Sequence, residues 1–175
     1  MQELGKTLTP SPILATSVLG VSTINLLGSQ EQKEKYLPKI VSGDVTTALA
    51  IDEGNHHSPL DIEATAILKG DKWSLNGQKV FIVDGASADY ILIVARTSGK
   101  KGESNGLSVF VSEKNSEGLE ISKISTADCR NYSNLKMNNL VLEGNALLGE
   151  VDTAGEIIEK VLDLGRIAMA SEMLG

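Results

Sequence analysis

Both histidines of the chain lie in one stretch, Ala50 to Asp61, which reads AIDEGNHHSPLD. Asp52, Glu53 and Asp61 flank His56 and His57, so the side-chain types that ligate zinc or move protons are crowded together. Their order argues against a metal. Adjacent residues point to opposite faces of a strand and about 100° apart on a helix, so neighbouring histidines converge on one ion only in an unusual loop. The expectation from these residues alone is a solvated polar loop between two strands. A second candidate, GESNG from Gly102 to Gly106, fits the G-x-S-x-G spacing of a nucleophile elbow around Ser104. That elbow needs a strand before it, a helix after it and a histidine later in the chain. Here a loop precedes, a strand follows and both histidines come earlier, so hydrolase chemistry is set aside. Asn131-Tyr132-Ser133 matches a glycosylation acceptor by chance. The sequence has no Walker loop, no G-x-G-x-x-G and no cysteine pair.

The elements that position these residues follow from periodicity. From Ile13 to Leu27 apolar residues recur at helical spacing, and Gly28 supplies a stop. Ser29 with Gln32 is a capping-box pair that starts a second helix, which ends at Gly43 and which Pro38 should kink or divide. The period then changes. VTTALAI, IEATAIL, KWSL, QKVFIV, YILIVA, LSVFVS, LEISKI and NLKMNNLVL are short, rich in β-branched residues and bounded by Gly, Asn, Asp and Ser. Asn76-Gly77 between two of these runs predicts a type I′ hairpin. Thr153 with Glu156 predicts a second capping box and a final helix, whose apolar residues cover most of its circumference. The fold class expected is α+β: an antiparallel β-barrel or sandwich over residues 45–149, flanked by helices over 1–44 and 150–175. The last helix has too little helical sequence around it to be buried, so a fragment or an oligomer is expected.

The chain has 175 residues, 41% hydrophobic and 22% charged, with a net charge of −7. That composition is globular, and the charge argues against a nucleic-acid surface. The cationic pair Lys100-Lys101 is expected to be solvated. Cys129 stands alone, so no intrachain disulfide is expected and a reducing compartment is the default. No apolar run approaches the roughly 20 residues of a membrane span. Met1 to Lys6 show no signal peptide.

Within this frame, GSQEQKEKYLPKIVSGD, DKWSLNGQKVFIVDGASADYILIVART and LLGEVDTAGEIIEKVLDLGRIAMASEMLG closely resemble the acyl-CoA dehydrogenases, in family order and at family spacing. The resemblance implies the end of an N-terminal helical domain, a whole middle β-domain and the first helix of a C-terminal bundle. It implies FAD as cofactor and α,β-dehydrogenation of an acyl-CoA thioester. It also implies an electron-transfer flavoprotein or similar acceptor, a homo- or hetero-oligomer, and a cytoplasmic or mitochondrial-matrix location. AIDEG corresponds to the family's LTEPGAGSD strand end, with Asp52 in place of the Thr that contacts the flavin pyrimidine. VFIVDG corresponds to MWITNG, with Phe81 in place of the flavin-packing Trp and Val83 in place of a hydrogen-bonding Thr or Ser. Flavin contacts are thus implied for Leu49, Ile51, Asp52, Phe81 and Val83, and substrate contacts for Ser58, Leu162 and Arg166. Gly165 stands where some members place a catalytic Glu, so no family-type catalytic residue is expected in this chain. Asp52 and Val83 leave an alternative: a flavin-poor, non-catalytic subunit of a heteromeric dehydrogenase. His56 or His57 is a candidate donor to a flavin or CoA phosphate.

Overall fold

The computed structural model describes residues 1–128 and 130–175; the expectation of an unpaired Cys129 falls outside the described residues. Four helical segments precede the sheet. Helix α1 spans Gln2–Lys6, a π-helical segment spans Ile13–Gly20, α2 spans Val21–Leu27 and α3 spans Gln30–Val41. Ser29 and Gln32 make the expected capping box: Gln32 N donates to Ser29 Oγ at 3.2 Å and Ser29 N to Gln32 Oε1 at 2.9 Å. The Gln32 amide also donates to the carbonyl of Leu147 at 2.7 Å, fastening the helix start to the sheet. Helix α3 runs unbroken through Pro38 to Val41, so the expected division there is not seen. Tyr36 and Ile40, one turn apart and both buried, hold the segment against the sheet across the missing hydrogen bond.

The eight strands are β1 Thr47–Ala50, β2 Thr65–Lys69, β3 Lys72–Val83, β4 Tyr90–Arg96, β5 Leu107–Glu113, β6 Leu119–Ile124, β7 Tyr132–Glu143 and β8 Leu147–Leu148. They form a single sheet in the order β6-β7-β3-β2-β4-β5-β8, with β1 paired to β4. The α+β class is as expected, and the expected antiparallel barrel or sandwich is corrected in two respects. The pairing path has two ends and does not close. The sheet is also mixed, since β1 and β2 both run parallel to β4. The chain leaves β1, makes the β2–β3 pair and only then returns as β4, and a crossover of that length permits parallel pairing.

Asn76-Gly77 does not turn the chain. KWSL and QKVFIV are one strand, β3, and the hairpin to β2 closes at Gly70-Asp71, with Lys69 opposite Lys72. Gly77 instead marks a register shift against β7, between Leu75 and Gly77. Its φ of +136° is outside the range of an I′ turn, and a Cβ there would lie 2.7 Å from the Ala64 Cα. The glycine is needed for the bulge and for the close approach of a neighbouring backbone.

Two cores sit on opposite faces of the central strands. Ile91, Ile93 and Ala95 of β4 join Trp73, Leu75, Phe110, Leu135 and Met137 in a cluster within the sheet. Leu92 and Val94, with the opposite parity, join Ile24, Tyr36, Ile158 and Val161 between sheet and helices. Helix α4, Ala154–Leu174, packs there through Ala154, Ile158 and Val161. Its start departs from expectation: Thr153 makes no side-chain cap and donates instead to the carbonyl of Glu150 at 2.9 Å. Leu164, Ile167, Met173 and Leu174 remain exposed on α4. Among the described residues no helix is long and apolar enough to cross a membrane.

Candidate functional site

The end of β1 and the bulged end of β3 meet at one place. Ile51 and Asp52 leave β1, and Val80 N donates to the Asp52 carbonyl at 2.8 Å, locking the exit against β3. One residue further, the β3–β7 register shifts between Lys79 and Ile82. Phe81 sits in that irregularity with a φ of +53°, a conformation unfavourable for a bulky residue. Its side chain is 58% exposed. A bulge of this kind re-aims a side chain. Here it turns the ring outward, where Tyr132 braces it edge-on at 5.8 Å and Asn134 Oδ1 accepts from its backbone N–H at 3.2 Å. Strain held in place by such braces is characteristic of ligand sites.

Asp52 does not present its carboxylate freely. Oδ1 accepts from Ser58 N at 3.0 Å and Oδ2 meets His57 Nδ1 at 2.8 Å. Leu49 and Ile51 bury their side chains in the helix-side core, so they offer a ligand only backbone. Ile51 does not offer a free carbonyl, because Lys79 Nζ donates to it at 2.9 Å. Val83 lines a small cavity of about 130 Å³ with Asp84, Arg130 and Glu172. Burial raises the Asp84 carboxyl above the usual carboxylate range, with Arg130 opposing.

The loop after Asp52 forms one wall of a groove of about 720 Å³ against β3 and β7. Glu53, His56, Ser58, Asp61, Lys101 and Lys136 are among the residues that line it. Lys101 is exposed to solvent, as expected, and pairs with Glu63 at the groove's edge at 2.8 Å. The GESNG turn belongs to the same rim, because Gly102 N donates to the Leu60 carbonyl at 3.0 Å. Behind both loops, the buried Arg96 guanidinium donates to the carbonyls of Leu60, Ile62, Ser98, Glu103 and Asn105.

The eight residues singled out in the sequence thus fall in separate places. Asp52 and Phe81 flank the β1–β3 junction, and Ser58 lines the groove. Leu162, on α4, is partly buried against the helix-side core. Arg166 is half-exposed and engaged by Asp163 at 2.5 Å and Glu159 at 3.3 Å. The sequence reading named Glu53 only as an acidic neighbour of the histidines and missed Lys79, with which it forms an ion pair at 2.7 Å under the junction. The only signal was a lysine inside the apolar run QKVFIV. Among the described residues no group of three or more His, Cys, Asp or Glu side chains could hold a metal ion.

Comparison with known proteins gives concordant matches. Residues 48–144 match the profile of the acyl-CoA dehydrogenase middle domain, and residues 1–44 that of the acyl-CoA dehydrogenase N-terminal domain. A short-chain-specific acyl-CoA dehydrogenase of Clostridium acetobutylicum is 32% identical over all of this chain and 48% of its own length. The solved butyryl-CoA dehydrogenase of Megasphaera elsdenii superposes with a TM-score of 0.85 at 28% identity, covering 92% of this chain and 43% of that one. A structure reported with the electron-transferring flavoprotein of Acidaminococcus fermentans gives a TM-score of 0.85 at 32% identity, covering 92% and 43%. The chain spans about half the length of the curated relatives it matches.

Proposed function

Because the chain belongs to the acyl-CoA dehydrogenase family, we propose that it supplies the flavin and acyl-CoA wall of a flavin-dependent enzyme that oxidises an acyl-CoA thioester between Cα and Cβ. The observation that carries this reading is the β1–β3 junction, where a strained, outward-facing Phe81 stands beside the β1 exit. The fit to a flavin is favourable on the chain's own geometry. An exposed aromatic ring braced by Tyr132 offers a flat apolar face. Asp52, whose charge would oppose a reduced flavin, is turned towards His57 and the Ser58 N–H. That orientation weakens the case for a flavin-poor subunit. When bound, FAD accepts the hydride from the thioester's β-carbon.

The remaining work falls to residues of this chain. Phe81 and Val83 would line one side of the ring and keep water from it. Backbone groups of Leu49 to Asp52, other than the Ile51 and Asp52 carbonyls held by Lys79 and Val80, would meet the pyrimidine edge. The groove beside Ser58 would take the polar CoA portion, with Lys101 and Lys136 near its anionic groups. Residues 1–44 would close an N-terminal helical domain, 45–149 would form the middle domain, and 150–175 would begin a helical bundle, with Leu162 and Arg166 on its substrate side. The reduced flavin would pass electrons to an electron-transferring flavoprotein, in keeping with the Acidaminococcus match. Gly165 precedes Arg166, so the residue that removes the α-proton is not assigned at that position. Equilibrium titration with FAD and then with butyryl-CoA tests the proposal: each should bind saturably, and butyryl-CoA should perturb the visible band of the bound flavin. Absence of saturable binding of both ligands would refute it.

A further inference from the structure

The Glu53–Lys79 pair has no place in the mechanism just described, and yet Glu53 lines the groove. Lys79 is fully buried and Glu53 nearly so, with side chains 0% and 12% exposed. Lys79 Nζ reaches both sides of Asp52: the Ile51 carbonyl at 2.9 Å and Glu53 Oε1 at 2.7 Å. Glu53 in turn accepts from the backbone of Glu63 at 2.7 Å and of Ala64 at 3.0 Å. One carboxylate therefore closes its own loop across ten residues, and one ammonium anchors that carboxylate to β3. All three partners of Glu53 are donors, which an ionised carboxylate accepts. Between the two anchor points lie Asn55, His56, Ser58 and Asp61, which line the groove.

We propose that Glu53 and Lys79 are positioning residues that lock the loop of residues 54–62 in the shape that receives the CoA portion of the substrate. The proposal rests on the groove reading given above. A buried ion pair is weak evidence of stability in itself, since desolvation offsets the attraction. Its geometric effect is specific. Without the carboxylate the loop is no longer closed at its base, and without the ammonium the β1 exit is no longer tied to β3. In Glu53→Gln the side chain keeps its shape, but its amide must turn a donor towards one of the three donors around it.

The test compares Glu53→Gln and Lys79→Met with Leu142→Ala, a core truncation in the part of β7 that does not line the groove. Titration calorimetry with coenzyme A and amide hydrogen exchange are measured on each, alongside the melting temperature. Each pair variant should raise the coenzyme A dissociation constant by about tenfold or more, as small misplacements of a binding group do. Each should also speed exchange across residues 54–62. Leu142→Ala should lower the melting temperature and change neither. Affinity and exchange unchanged in both pair variants would overturn the proposal, as would equal losses in Leu142→Ala. If the unaltered protein does not bind coenzyme A, the groove reading fails, and loop exchange in Glu53→Gln alone then decides whether the pair positions the loop.

Discussion

Burial pushes the Lys79 ammonium down to about 8, with Glu53 and Asp52 opposing and Arg96 reinforcing the shift. The folded state therefore binds this proton less tightly than the unfolded chain, where lysine titrates near 10.5. From about pH 8 to 10.5 the unfolded chain holds more protons, so Lys79 makes stability rise with pH across that window. Below it the cost of the buried charge is present in full. Denaturant midpoints should climb over this range relative to Lys79→Met, where that share of the slope vanishes. Parallel curves would show that Lys79 is not buried as a cation. At this scale the sequence was a partial guide. Phe81 and Val83 could be placed by their motif, because short patterns fix position along a strand. The orientation of Asp52 could not, because it depends on how a polar loop folds back to bring His57 and the Ser58 N–H to one carboxylate.

Helix ends and bulges show which local signals the tertiary structure keeps. Ser29 with Gln32 and Thr153 with Glu156 carry the same pattern, but only the first closes as a box. Gln32 has further acceptors in the sheet to hold it, whereas Thr153 has the backbone conformation of a turn and bonds back to Glu150. Ser29→Ala should accordingly cost about 1 kcal/mol in chemical denaturation, and Thr153→Ala less than about 0.5 kcal/mol. Equal costs would contradict the assignment. Asn76-Gly77 has the composition of a turn, but nine of the twelve residues of β3 pair with β7, on both sides of the dipeptide, and that pairing overrides it. Gly77→Ala combines an unfavourable φ with a clash against Ala64. It should lower stability by roughly 1–3 kcal/mol, read as a fall in melting temperature. A neutral result would mean that the bulge is absent. The π-helical turn over Ile13–Gly20 was read from periodicity simply as helix. A shift of one hydrogen-bond register leaves the apolar spacing nearly unchanged, so composition carries no sign of it.

For the molecule as a whole, the succession of helix, sheet and helix was legible because the period changes sharply at Gly43 and again near Thr153. Closure of the sheet was not. Alternation records which residues face a core, and β4 is buried on both faces whether its neighbours run parallel or antiparallel. On α4, Leu164, Ile167, Met173 and Leu174 stay exposed while Ile158 and Val161 are buried. The central claim is that the β1–β3 junction forms a flavin wall with Phe81 as its aromatic face. Fluorescence titration of FAD with the protein and with Phe81→Ala tests it most directly. The account predicts saturable quenching that weakens roughly fivefold in the variant, equivalent to about 1 kcal/mol of lost ring contact. Absence of saturable quenching, or the same dissociation constant for both proteins, would contradict it.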